Sequence, residues 1–326
     1  MTILVTGAAG FIGFHVSQAL LARGERVIGL DNVNDYYDPR LKESRLAQIK
    51  NLNFKLLRLN IADRAALAEA LVGEKDITGV VHLAAQAGVR YSLVNPYAYI
   101  EANVMGHVVL LELARQWPGM KHFVYASSSS VYGGNTKLPF AIEDDVNQPV
   151  SLYAATKRTD ELISHTYAHL YRLPQTGLRF FTVYGPWGRP DMAAFIFTKA
   201  IIEGKPIQLF NKGEMQRDFT YVDDIVAGIL AVLDHPPADP GKDKGVPHKV
   251  YNLGNHQSEQ LGRFVSTLEQ AIGKKAIIEY APMQPGDVPA TYADIEASRR
   301  DFGFEPRIGI DVGLPRFVDW YRSYYN

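Results

Sequence analysis

The chain has 326 residues, 47% of them hydrophobic, enough to bury one large α/β domain and a smaller one. Lys and Arg number 34 against 35 Asp and Glu, and a net charge of -1 attracts neither nucleic acid nor an anionic membrane. The absence of cysteine excludes disulfides, thiol nucleophiles and thiolate metal sites, and it suits a reducing cytoplasm. Met1 runs into an apolar stretch with no basic region and no cleavage site, so no signal peptide is expected. No uninterrupted apolar run reaches the roughly 18 residues of a transmembrane helix, and no metal site is expected.

Short β-rich runs alternate with helical patterns through the first half. Strands are predicted at 3–6, 26–31, 54–58, 79–83, 122–127 and 175–181, and helices at 10–23, 64–74, 96–116 and 152–171. This rhythm predicts a parallel sheet covered on both faces. Val80-Val81-His82-Leu83-Ala84 is nearly continuous in apolar character, as a doubly buried strand requires. The rhythm breaks after Phe181. A Pro/Gly-punctuated segment at 184–190 leads to a helix at 193–203, a strand at 207–211 and a helix at 222–233. The stretch 235–247 is polar and rich in Pro and Gly, and is expected to be an exposed loop; Tyr251 to Gly254 ends one more strand.

Gly7-Ala-Ala-Gly10-Phe11-Ile12-Gly13 lies between the first predicted strand and the first helix. Glycines there let the backbone turn tightly and approach a pyrophosphate, which the free N–H groups of the helix start then bind. Asp31 ends the second strand, placed to bond both hydroxyls of a ribose and to repel a 2′-phosphate. The pair favours NAD over NADP.

Tyr153 and Lys157 stand four apart, on one face of a helix. Ser127-Ser128-Ser129-Ser130 ends the preceding strand, and ligands of parallel sheets bind at the carboxyl ends of strands. A free tyrosine titrates near pH 10, too high for a base at neutral pH. An ammonium one helical turn away and a cationic nicotinamide both favour the phenolate. This combination suits hydride transfer.

The glycine spacing, Leu83-Ala84-Ala85, the serine run with Val131-Tyr132-Gly133, Tyr153-x-x-x-Lys157 and Arg217-Asp-Phe-Thr-Tyr-Val-Asp-Asp224 occur in order along nearly the whole chain. Together they resemble the extended short-chain dehydrogenase/reductase family whose members modify nucleotide sugars. The resemblance implies a Rossmann-like doubly wound parallel sheet with a smaller mixed α/β substrate-binding domain. It implies NAD held by Gly7, Gly10, Phe11, Ile12, Gly13, Asp31, Asn32, Asn60, Ile61, Leu83, Ala84, Ala85, Gln86 and Asn103, together with Tyr153 and Lys157. Asn60 stands where the family often has aspartate, yet its amide oxygen can still accept a bond from adenine. Tyr153 would be the base, Lys157 would orient the cofactor ribose and tune the tyrosine, and Ser128 would bond the sugar 4-oxygen. Ser127 has the plainer reading of a strand-end hydroxyl satisfied by backbone.

All reactions of the family begin by oxidising C4. Its dehydratases carry Asp-Glu where this chain has Ser129 and Ser130, and its uronate decarboxylases carry glutamate at Ser130. Residues 177–192, 86–92 and 284–294 look like the UDP-glucuronate 4-epimerase branch. Thr182 and Gln284 replace the asparagine and arginine usual in galactose-type 4-epimerases. By position, Ser128, Ser129, Ser130 and Thr182 would bond the sugar carboxylate or nearby hydroxyls, with Arg90 and Arg189 as cations near the substrate. Gln208 and Phe210 would hold uracil, Arg217 the diphosphate and Asp287 the nucleotide ribose. Arg90 and Arg189 have a second reading as partners of loop carboxylates, and Phe210 as core filler. A 4-epimerase of neutral UDP-sugars and a non-catalytic NAD-binding regulator are the competing functions. The resemblance further implies a cofactor domain at 1–181 plus 221–256 and a substrate domain at 182–220 plus 257–326. It also implies a homodimer, with the helices at 96–116 and 152–171 as its face unless they are core.

Overall fold

In the computed structural model, residues 1–284 and 286–325 are described; Pro285, within the 284–294 segment, and Asn326 lie outside the described residues. The first half runs β1 (Thr2–Thr6), α1 (Phe11–Ala22), β2 (Arg26–Leu30), α2 (Pro39–Gln48), β3 (Phe54–Leu57), α3 (Arg64–Leu71), β4 (Ile77–His82), α4 (Pro96–Tyr99), α5 (Gly106–Ala114), β5 (His122–Ser128), α6 (Leu152–Tyr171) and β6 (Gln175–Phe180). The second half runs β7 (Thr182–Tyr184), α7 (Ala193–Glu203), β8 (Pro206–Phe210), β9 (Gln216–Tyr221), α8 (Val222–Leu233), β10 (His248–Leu253), β11 (Ser258–Gln260), α9 (Leu261–Ile272), β12 (Ile277–Ala281), α10 (Glu296–Phe302) and α11 (Ile310–Tyr325).

Seven strands form one sheet in the order β10-β6-β5-β4-β1-β2-β3, and every neighbouring pair is parallel. The sheet is Rossmann-like, with helices on both faces. Its strands alternate between two cores. Ile3, Val5, Val27, Val81 and Val124 join the core shared with α1 and α8. Leu4, Ile28, Val80, Phe123 and Tyr125 join the core under α3 and α5. Successive side chains of a strand point to opposite faces, so apolar residues at consecutive positions feed both layers. β10 comes back from the far half of the chain to extend the edge beside β6, in register from His248 opposite Gln175 to Leu253 opposite Phe180.

Two small sheets make up the mixed part. β9 pairs β7 in parallel and β11 antiparallel, while β8 and β12 form a parallel pair. The segment 235–247 is an irregular and largely exposed loop, as its composition predicts.

Two local features depart from expectation. The single helix expected at 96–116 is interrupted: between α4 and α5, Ile100–Met105 forms a wider turn with i→i+5 bonding. α2 was not expected at all, because its sequence PRLKESRLAQ has no wide apolar stripe. It is started instead by its cap. Asp38 accepts a bond from the Arg40 N–H and Pro39 occupies the first turn, where a missing N–H costs nothing.

Candidate active site

A cleft of about 1200 Å³ opens over the carboxyl ends of β1, β4, β5 and β6 and extends to β7, β8 and the 286–291 segment. At its floor, the Gly7 N–H donates to Leu30 O and the Gly10 N–H to Gly7 O, closing a tight turn. Gly7 has φ +70°, a left-handed conformation in which glycine is free of strain. A Cβ at Gly13 would lie 2.0 Å from Gly7 O, so only glycine lets α1 start against the loop. No side chain caps the start of α1 and no carboxylate lies in its first turn. Its N-terminus therefore offers donors and a positive dipole end to phosphate.

Asp31 is buried, with Oδ2 accepting from the Ala9 N–H at 3.0 Å and Oδ1 from the Val33 N–H at 2.8 Å. Each carboxylate oxygen keeps a second lone pair for a ribose hydroxyl. Asn60 also lines the cleft; its Oδ1 accepts from the Ala62 N–H, and its Nδ2 donates to Glu101 at 2.9 Å. Asn32, Ile61 and Leu83 to Gln86 line the same half. Asn103 does not. It lies fully buried in the wide turn, where its amide accepts from the Gln86 N–H and donates to Gln86 O and to Thr156. That spacing aims it at the back of the Gln86 loop.

Tyr153 and Lys157 face the cleft from the first turns of α6, whose Ser151 cap bonds the Ala154 N–H. The Lys157 ammonium donates to Ala126 O at 3.0 Å and to Asp160 Oδ2 at 3.1 Å. An ammonium has three donors, so one remains for a ligand. The Ser128 hydroxyl accepts from the Ser130 N–H and bonds Ser130 Oγ at 3.1 Å, which shapes the turn holding Ser129. Ser127 also lines the cleft, but its hydroxyl donates to Glu161 at 2.6 Å, a side-chain partner rather than the expected backbone one. Glu161 is itself clamped by Arg179 and Arg158.

The remaining expected residues, Thr182, Arg189, Gln208, Phe210, Arg217, Asp287 and Arg90, all line the other half of the cleft. Both arginines pair with a carboxylate and also line the cleft. Arg189 is paired with Asp191, which also accepts from the Tyr36 hydroxyl at 3.1 Å, while lining the cleft. Arg90 lies 4.8 Å over the Phe210 ring and 3.7 Å from Asp287. Arg217 donates to Asp287 at 2.7 Å, so that carboxylate stands between two guanidiniums.

Sequence reasoning missed Tyr36, Tyr37, Lys42 and Arg45. Lys42 lines the cleft and donates to Asn34 O and Oδ1. Burial lowers its pKa, with the Asp31 charge opposing. Arg45 is fully buried and ties Ala9 O, Trp187 O and the Tyr37 hydroxyl together, fixing the glycine loop to the 185–190 segment. The Asp38-Pro39 start signal was the cue available in the sequence.

A glycine loop opening onto an uncapped helix start, an aspartate just past the end of β2 and a Tyr-x-x-x-Lys pair over one parallel sheet are the marks of a dinucleotide-dependent enzyme of the short-chain dehydrogenase type. Residues 3–254 match the family model described as the NAD dependent epimerase/dehydratase family, and the chain belongs to that family. It is 50% identical to UDP-glucuronate 4-epimerase 4 of Arabidopsis thaliana over 334 residues, covering 100% of this chain and 76% of the relative. It is 49% identical to Protein CapI of Staphylococcus aureus over 336 residues, covering 100% of both. Among solved structures, UDP-glucuronic acid 4-epimerase from Bacillus cereus in complex with UDP-glucuronic acid and NAD superposes with TM-score 0.89 at 34% identity, covering 100% of both chains.

Proposed function

We infer that this protein is a UDP-glucuronate 4-epimerase, an isomerase that converts UDP-glucuronate to UDP-galacturonate with NAD as its cofactor. The observation that carries this reading is the company Tyr153 and Lys157 keep: at the two positions where the dehydratases carry an acid and a base this chain has Ser129 and Ser130, and both line the cleft together with Ser128 and Thr182. Relatives named for this activity match the chain over its full length.

In this reading NAD is held by the glycine loop, by Asp31 and by the residues from Asn60 to Gln86 described above. When bound, it supplies the two-electron exchange at sugar C4 that creates and later removes a ketone. Tyr153 accepts the proton of the 4-hydroxyl and gives it back, the acid–base part of the reaction. Lys157 orients the ribose with its free donor. The sugar turns over between the two transfers while Arg217, Gln208, Phe210 and Asp287 keep the UDP anchored. A ketone at C4 makes the C6 carboxylate part of a β-keto acid, which loses carbon dioxide when the C5–C6 bond stands perpendicular to the carbonyl plane. Ser128 to Ser130 and Thr182 hold the carboxylate out of that alignment.

The cofactor would belong to residues 1–181 and 221–256, and the sugar nucleotide to 182–220 and 257–326. A homodimer is supported by the exposed apolar residues Tyr97, Ile100, Met105, Leu162 and Leu170 on the 96–105 segment and α6. A chain without cysteine suits the cytoplasm.

The test is incubation of the purified protein, without added reductant, with UDP-glucuronate and separately with UDP-glucose, followed by NMR. UDP-galacturonate from the first and nothing from the second is expected. Turnover of UDP-glucose alone would assign the protein to the neutral-sugar epimerases.

A further inference from the structure

We propose that Asp160 is the positioning counter-ion of Lys157, and that its negative charge sets the pH range in which the site works. The proposal rests on the epimerase reading only for its assay. Lys157 and Asp160 stand one helical turn apart on α6, with side chains 4% and 1% exposed and a separation of 3.1 Å. A charged lysine buried this deeply needs a partner, because loss of hydration penalises the ammonium. Among the described residues Asp160 is the only carboxylate that pairs with it.

The titratable groups on the surrounding strands and helices include none that replaces that anion. His82 from β4 and His107 from α5 are buried and kept neutral, His107 lowered to about 3 by burial and then by the Lys157 charge. Tyr125 from β5 is held in its protonated form by burial. His248 from β10 is lowered to about 4, again by burial first. Glu161, the next residue on α6, spends its charge on Arg179 from β6 and on Arg158. Asp160 Oδ2 accepts from Lys157, while Oδ1 is buried without a hydrogen-bond partner among the described residues. A carboxylate with half its lone pairs unmet is costly to keep charged, and burial raises Asp160 to about 6 against the pull of Lys157.

The carboxylate thus does two things. It holds the ammonium against Ala126 O at the edge of the cleft. It also offsets part of the positive field that Lys157 projects toward Tyr153. Replacing the anion by a neutral isostere removes that offset and leaves the Lys157 charge unbalanced at the edge of the cleft.

The experiment is the pH profile of kcat/KM for the wild-type holoenzyme, D160N and D160S, with thermal melting of each. Both limbs of the D160N profile are expected to move to lower pH by about one unit, with D160S moving in the same direction. D160N keeps an oxygen that can accept from Lys157, so a purely structural role would lower the rate or the melting temperature and leave the profile in place. Superimposable profiles in a folded D160N would overturn the proposal. Loss of fold in both variants would also overturn it, by assigning Asp160 to stability. A wild type that ignores UDP-glucuronate would sink the epimerase reading instead. The same comparison with UDP-glucose would then still read Asp160.

Discussion

Thr182 begins β7 at the point where the chain leaves β6, opposite Phe219 of β9, and it lines the same cleft as Ser128 to Ser130. If it helps to hold the carboxylate, Thr182→Val should raise the fraction of decarboxylated UDP-pentose severalfold while lowering the epimerisation rate. Product NMR reads both, and an unchanged ratio at an unchanged rate would remove Thr182 from the clamp. Behind the cleft, Glu161 makes a different kind of contribution. Burial alone would raise its pKa, but bonds from Arg179, Ser127 and Arg158 outweigh that and hold it below the ordinary glutamate value. A depressed carboxylate stabilises the fold above its unfolded pKa, about 4.3, and loses that stabilisation as pH falls through the folded value. Glu161→Gln should therefore cost about 3–5 kcal/mol at pH 7, because it strands the buried Arg179. In urea unfolding the deficit should shrink as the pH falls below about 4. Tyr153, Lys157 and Ser128 were legible because they belong to a motif with a fixed spacing. Glu161 and Arg179 were not, because a buried ion pair between a strand and a helix leaves no local pattern, and Asp160, one turn after Lys157, has the spacing of an ordinary surface ion pair.

At the scale of elements, the glycine loop and α1 work as one unit. A Cβ at Gly13 would meet Gly7 O rather than open cleft, so Gly13→Ala should push α1 off the glycine loop proposed to hold the NAD phosphates. NAD affinity should fall by at least about tenfold, the equivalent of roughly 1.4 kcal/mol, with a smaller change in melting temperature of the cofactor-free protein. Titration of NAD by calorimetry or tyrosine/tryptophan fluorescence would check this, and unaltered affinity would show that the loop tolerates the shift. The strands β1 to β6 were readable from apolar runs at regular intervals. α2 was not, since it is held by buried Arg45 and by a cap rather than by an apolar stripe. The interruption between α4 and α5 was also hidden: the apolar content of 96–116 reads as one helix, and only Asn103 reaching for the Gln86 backbone explains why the turn is wide.

For the whole molecule, the parallel sheet and the place of the cleft followed from the strand–helix alternation, because ligands gather at the carboxyl ends of such strands. The small sheets followed only in part: a strand was expected at 207–211, where β8 runs, but not β7, β9, β11 or β12. β7, β9 and β11 are three to six residues long and pair across separate segments, so neither alternation nor length announces them. Their effect is functional: they place Arg217 beside Asp287 and Phe210 under Arg90, opposite the cofactor half. Two halves meeting over one cleft let a sugar turn while its nucleotide stays fixed, and that is the claim on which the account rests. The most direct measurement is the fate of deuterium in UDP-[4-²H]glucuronate, followed by NMR with a trace of protein and no added reductant. The account predicts UDP-galacturonate that keeps the label at C4, because the hydrogen removed from one face is returned to the other. Label lost to solvent, or a pentose as the main product, would contradict it.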